Sequence, residues 1–332
     1  MDNTILAFLK TLPENNEPKF TARLSNYLLK NDEDINSLKK KVQEILEKEE
    51  NITIKFSAYY ALMIIYRRYQ DPYSATILTI QYKDKFENIP LFVYQESRVY
   101  VDYNDEASLL KALNYAQKAI DLLNGIEYAG FYHNYAEIVA ILCETHNKLD
   151  KKMIEQAFNY IDKAISINSD YAKYYSTLGR LQTCQGNYRI AEMNLNKAIG
   201  LEDASLSDYT IRISKYQNLL IRNEMTELHN NLENKYTKIE NDFQRSKNSI
   251  IEFLSFFAAI IAMIFTSVQI SLSFKFIDAA TLLIILGGVL IIAFGMISCI
   301  LKSDKEGIIK SIVFFVIGLL MIVLSLIIHS YC

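Results

Sequence analysis

The chain has 332 residues, 35 basic against 38 acidic, a net charge of −3 and a mean hydropathy near zero. Its length suggests two domains, and no basic excess marks it as a nucleic-acid binder, which needs a cationic face to displace counterions. The near-zero mean hides a split: Ile250–Cys332 holds only eight charges, four of each sign, so the first 249 residues carry the whole net charge.

The opening MDNTILAFLK is acidic at position 2 and has five apolar residues before Lys10, which is not the pattern of a secretory signal. The first part of the chain is therefore expected in the cytosol. Residues 1–50 read as two or three capping helices, and Phe56–Tyr69 with Tyr73–Phe86 as a helical pair. The four prolines all lie at or before position 90. Cys143, Cys184, Cys299 and Cys332 form no CxxC or other ligand spacing, so neither a disulfide framework nor a zinc site is expected, and lone cysteines fit a reducing compartment.

Three segments then repeat one phrase: ALNYAQKAIDLLN from Ala112, AFNYIDKAISINS from Ala157 and AEMNLNKAIGLED from Ala191. Each begins with Ala and carries Lys-Ala-Ile at its seventh to ninth positions. The spacings are 45 and 34 residues. A 34-residue period suits a stacked helix–turn–helix repeat. On these residues the chain resembles the tetratricopeptide repeat (TPR) family. The best-matching repeat is YYSTLGRLQTCQGNYRIAEMNLNKAIGLED, with Tyr175 as the large aromatic, the pair Leu178-Gly179, Gly186 and Tyr188 in the turn and second helix, and Ala191, Leu195 and Ala198 as the small, large, small series. Asp203 and Gln182 depart from the family pattern. Small residues belong where antiparallel helices cross closely, and large ones fill the gaps between crossings.

The resemblance implies a curved groove lined by the first helix of each pair, open to a protein or peptide partner. Carried onto the best repeat, the groove positions are Lys173, Ser176, Arg180 and Thr183, and in the preceding repeat Asn134, Glu137 and Glu144. Lys173 and Arg180 lie seven residues apart, two turns on one helix face. They either clamp a partner's carboxylates or solvate the outer face of the helix.

Asp208–Asn223 reads as an amphipathic capping helix closing the repeats. Met225, Leu228, Leu232, Tyr236, Ile239, Phe243 and Ile250 then recur at spacings mostly of three, four or seven, and no Gly or Pro interrupts Leu201–Phe274. This is a candidate coiled-coil seam, with Leu232, Tyr236, Ile239 and Phe243 at its centre. It fits either a homo-oligomer or packing on the chain's own repeats.

Three windows then suit a lipid bilayer: Phe253–Phe274, Ala279–Leu301 and Ser311–Ser330, each about the 20 residues that span the ~30 Å hydrocarbon layer. Lys235, Lys238, Arg245 and Lys247 precede the first window, and Lys302, Lys305 and Lys310 separate the second from the third. Only Lys275 lies on the other side. By the positive-inside rule the N-terminal part is expected in the cytoplasm and the C-terminus outside, in an arrangement suiting a bacterial inner membrane. Asp278 is placed to cap the second span, and Ser303 with Glu306 resembles a capping box before the third. Ser255, Ala259, Ala262 and Thr266 share one face of the first span and Gly288 and Gly295 one face of the second, positions suited to packing within the unit or to an oligomeric seam.

The expected architecture is all-α. A TPR-like α-solenoid (1–205) is joined by a capping and coiled-coil-like connecting helix (206–249) to a three-helix transmembrane domain (250–332). No GxxxxGK[ST], GxSxG or HExxH occurs. His133, Cys143 and His146 lie close in sequence but lack an acidic orienter, and helix packing accounts for them. No catalytic residue, metal or cofactor is expected. The sequence points to a membrane-anchored adaptor or sensor. The layout is also similar to bacterial antiviral-defence effectors that oligomerise and breach the membrane, a likeness of architecture alone.

Overall fold

In the computed structural model the chain is all-α. It describes residues 3–30, 34–145, 150–205, 208–301 and 305–331, and among them there are fourteen helices and no strand. Two compact units, Met1–His229 and Asn230–Cys332, divide the chain.

The first unit starts with α1 (Asn3–Leu9), α2 (Pro18–Lys30) and α3 (Ile35–Lys48). Helix pairs follow: α4 (Ile52–Arg68) with α5 (Pro72–Phe86), α6 (Pro90–Tyr103) with α7 (Glu106–Asp121), α8 (Ala129–Thr145) with α9 (Lys151–Ile167), and α10 (Ala172–Cys184) with α11 (Tyr188–Leu201). Local chemistry sets their starts. Pro18, Pro72 and Pro90 open their helices, where the missing N–H costs nothing. Asp34, Asn51, Asp71, Asp105 and Asp150 accept from the first free backbone N–H groups. From α3 to α11 each helix packs on the next, and α6 also meets α8, as α8 meets α10, so the pairs stack.

The repeated phrase lies on α7, α9 and α11. Its alanines at the first and eighth positions, Ala112 and Ala119, Ala157 and Ala164, Ala191 and Ala198, are all fully buried. Gly179 has the same cause. A Cβ there would lie 2.8 Å from Leu195 Cγ and 3.1 Å from the Ala191 carbonyl oxygen. The leucine can shift, but the backbone of α11 cannot. Gly179→Ala is therefore expected to destabilise the first unit by about 1–3 kcal/mol, measured by thermal unfolding of the full chain in nanodiscs. Gly186, at φ 77°, makes the left-handed turn between α10 and α11. At the other end the core is aromatic: Phe20, Phe56, Tyr59, Phe86 and Phe92 are fully buried with ring centroids 5.2–6.2 Å apart.

The expected capping and connecting helices are one element, α12 (Tyr209–Ser273), 65 residues long. Its first turns belong to the first unit. Tyr216 is buried and donates to Glu202 at 2.7 Å, and Asn223 accepts from Thr183 Oγ1 at 2.7 Å and donates to the Tyr188 carbonyl at 3.0 Å. The compact unit consequently extends to His229 rather than ending near 205. The expectation of lone cysteines is corrected: Cys143 of α8 and Cys184 of α10, 41 residues apart, have Cα atoms 6.2 Å apart and are joined as a disulfide. Stacking brought them together, and no sequence spacing signalled it.

The second unit holds the rest of α12, α13 (Phe276–Leu301) and α14 (Lys305–Tyr331). Three helices, α12, α13 and α14, are long and apolar enough to cross a membrane. The helices α13 and α14 approach backbone to backbone at Gly288 and Gly318, and Ser311 donates to the Gly295 carbonyl at 2.7 Å. The small face of α13 thus packs within the unit. The α12 span meets α13 through side chains, with Phe256 and Phe294 ring centroids 5.2 Å apart. Asp278 lies inside the first turn of α13 rather than at its cap, because that helix starts at Phe276. Ser303 lies outside the described residues.

Candidate functional site: a cation-lined cavity

The first helix of each pair faces one cavity of about 550 Å³ in the first unit. About two turns each of α4, α6 and α8 and the first turns of α10 and α12 supply the wall. The helix α4 gives Tyr60, Arg67 and Arg68, α6 gives Tyr94, Gln95 and Arg98, and α8 gives Phe131, His133 and Glu137. Tyr171 and Lys173 come from the start of α10, and Asp208 and Arg212 from the start of α12. The opposite side is closed. Thr21 of α2 shares a 2.6 Å hydrogen bond with the Tyr128 hydroxyl, and Arg68 donates to the Ser25 carbonyl at 3.3 Å. The groove expected to run open is therefore walled by the chain's own second helix.

A ladder of ion pairs holds the wall. Glu137 and Glu144 lie two turns apart on α8, in register with Lys173 and Arg180 on α10. Arg180 grips Glu144 with two bonds of 2.7 and 2.8 Å, and Arg222 adds a contact at 3.1 Å. Glu137 is taken from the other side: Arg98 reaches it at 2.6 Å and donates to Asn134 Oδ1 at 3.1 Å. Burial pushes the Glu137 carboxyl up, but Arg98, with His133 and Arg180 beyond it, outweighs burial and holds it far below the usual carboxylate range. Lys173 is left with no hydrogen-bond or ion-pair partner among the described residues. Protein surrounds it on most sides although water reaches it, and that desolvation, with Arg212 nearby, pulls its ammonium pKa down.

The four sequence-derived groove residues thus divide. Lys173 faces the cavity. Ser176 is buried, Arg180 is spent on Glu144 and Thr183 on Asn223. Of the preceding repeat, Glu137 lines the cavity, while Asn134 and Glu144 brace the wall. The residues sequence reasoning missed are Arg67, Gln95, Arg98 and Arg212. Their helices match the repeat pattern poorly or lie outside it, and the only signal was the basic run RRYQDP closing α4.

His133 is buried, bonds Thr177 at 2.9 Å and lies against Tyr174. Burial lowers its pKa to about 4. Glu137 opposes that shift, and Arg98, Lys173 and Arg180 add to it. The folded value is below the unfolded one, near 6.5, so the fold loses stability as pH falls from about 6.5 to 4. His133→Gln, which keeps a partner for Thr177, is expected to flatten that part of the stability–pH curve, read by thermal unfolding at half-unit pH steps. Cys143 is spent on Cys184, His146 lies outside the described residues, and among described residues no cluster of metal-binding side chains occurs.

Leu232, Tyr236, Ile239 and Phe243 line up along α12 in the second unit. Each is 56–69% exposed. No family model matches this chain, and no curated protein matches it.

Proposed function

We propose that the protein is a membrane-anchored, cytosol-facing sensor or adaptor whose helical unit binds an anionic partner in the cation-lined cavity. One observation carries this. The chain is net acidic, yet its cavity presents five cations (Arg67, Arg68, Arg98, Lys173, Arg212) against two carboxylates (Glu137, Asp208). Such a concave surplus concentrates anions of any size. The stacked helix pairs and the buried alanine phrase support the TPR-like reading, in which the partner is a protein or peptide. Closure by α2 favours a short acidic chain end, or something smaller, over a long segment laid along an open groove. The asymmetry of Lys and Arg around the spans supports a cytoplasmic first unit, as in a bacterial inner membrane.

The test uses the full chain in lipid nanodiscs. A labelled Glu-rich peptide is expected to bind, free acidic small molecules are expected to compete, and Lys173→Glu is expected to abolish binding with unchanged melting. If no anionic probe binds, or Lys173→Glu binds like wild type, the reading fails.

The exposed stripe on α12 favours a second reading, an antiviral-type effector in which copies associate through Leu232, Tyr236, Ile239 and Phe243 and regroup the spans into a leak. Tyr236→Glu with Phe243→Glu would then yield a monomer in detergent and abolish loss of membrane potential on overexpression. A potential that holds steady with the native chain, under activating ligand, rules the effector out.

A further inference from the structure

The chemistry of the cavity narrows the anion. Arg67 makes no hydrogen bond or close ion pair among the described residues, and its Nε is buried and unsatisfied, as is the Nε of Arg98. Gln95 is 1% exposed and lines the same cavity beside Tyr60, its nearest hydrogen-bonding side chain, and among the described residues its Oε1 makes no hydrogen bond of full geometry. Buried polar groups in folded proteins are nearly always paired, so three unpaired ones on side chains that line one cavity single it out as a binding site. The arginine and lysine groups ask for anionic oxygens. The amide of Gln95 asks for a donor, an amino or hydroxyl group. The rings of Tyr94 and Tyr171 border the same space, each braced by a second ring, Phe131 tilted against Tyr94 at 5.0 Å and Tyr174 edge-on to Tyr171 at 4.8 Å. A backed, half-open ring is a platform for a flat partner. About 550 Å³ suits a small molecule.

Resting on the reading of this cavity as an anion receptor, we propose that its ligand is a nucleotide: phosphate on Arg67, Arg98 and Lys173, base against Tyr94 and Tyr171, and an amino or hydroxyl group donating to Gln95. Inorganic phosphate satisfies only the cations, a nucleoside only the rings and the amide, and an acidic peptide lacks the flat ring. A nucleotide satisfies all three.

The experiment is isothermal titration of the full chain in nanodiscs with AMP, ATP, GTP, adenosine and inorganic phosphate. At least one nucleotide is expected to bind at least tenfold more tightly than adenosine or phosphate. Lys173→Gln and Arg67→Gln are each expected to weaken it about tenfold or more, the range for losing one charged hydrogen bond, and Tyr171→Ala to weaken it as well. Lys173 has no hydrogen-bond or ion-pair partner among the described residues, so its variant keeps the test decisive if Arg67→Gln unfolds. Absence of nucleotide binding, binding no tighter than that of phosphate, or binding that survives Lys173→Gln would overturn the proposal. If nucleotides fail while the Glu-rich peptide binds in a Lys173-dependent way, this inference falls and the receptor reading stands.

Discussion

Glu137→Gln is expected to cost the first unit about 3 kcal/mol, because it leaves a buried guanidinium without its compensating charge even where the amide oxygen still accepts from it. Arg98 has a 14% exposed side chain, its partner carboxylate at 2.6 Å, and Asn134 as its one other acceptor among the described residues. Removing one member of a buried pair typically costs about 3–5 kcal/mol, and the lower end applies here because both groups border a cavity that water enters. The pH dependence separates this from a generic packing defect. The folded pKa of Glu137 lies below its unfolded value of about 4.5, so its contribution is complete above that value and is lost as pH falls through the folded one. The gap between wild type and Glu137→Gln in chemical denaturation of the full chain should hold steady from pH 8 to about 6.5, widen slightly where His133 titrates because Glu137 no longer favours its charged form, and narrow at lower pH as Glu137 itself is protonated. A gap that ignores acid would mean that shape, not charge, is what Glu137 provides. Arg98→Met with Glu137→Leu is the complementary variant. If the pair's charge serves the ligand rather than the fold, the double replacement should recover much of the stability and lose anion binding.

Sequence patterns exposed the helices more readily than the cavity, for physical reasons. Helix identity is written in short periods and caps. The alanines of the repeated phrase, the prolines opening α2, α5 and α6, and the long charge-free windows each carry local information: the alanines are buried, the prolines start their helices, and the windows form helices apolar enough to cross a membrane. The cavity is a long-range object. Arg67, Arg98, Lys173 and Arg212 span 145 positions and converge only because the pairs stack and α2 returns to bond Tyr128. Carrying groove positions from the resembled family found Lys173 but equally marked Arg180, whose charge is consumed by Glu144. Sequence spacing gave the two cations the same standing. The competition of Arg98 for Glu137, which frees Lys173, depends on a helix that the repeat pattern scarcely marks. The Cys143–Cys184 disulfide escaped for the same reason, since its 41-residue separation reflects pair stacking and no motif.

Gly318→Leu is expected to separate α13 from α14, with consequences for the whole membrane unit. A Cβ at 318 would lie 2.6 Å from the Gly288 carbonyl oxygen and 2.6 Å from Ile292 Cγ1, and one at Gly288 would meet the Gly318 carbonyl at 2.8 Å. Neither backbone can yield, so any side chain drives the helices apart. In lipid no hydrophobic force draws apolar helices together, and close packing plus interhelical hydrogen bonds must suffice. Here these include Ser311 to the Gly295 carbonyl at 2.7 Å and Ser325 to the Thr281 carbonyl at 3.1 Å. Losing the crossing should cost about 2–3 kcal/mol and loosen both bonds. Cysteines placed at Thr281 and Ser325 in the full chain should crosslink readily in native membranes and several-fold more slowly with Gly318→Leu. Val316→Leu, at a position about half exposed, should leave the rate unchanged. An unaltered rate in Gly318→Leu would show that the crossing is not what pairs these helices. The outcome bears on function. If α13 and α14 form the fixed hairpin while the α12 span touches them through side chains such as Phe256, a signal arriving along α12 has a helix to move and a rigid pair to move it against. The same substitution should then blunt any ligand-dependent change in the spans while leaving ligand affinity in the cavity of the first unit as it was.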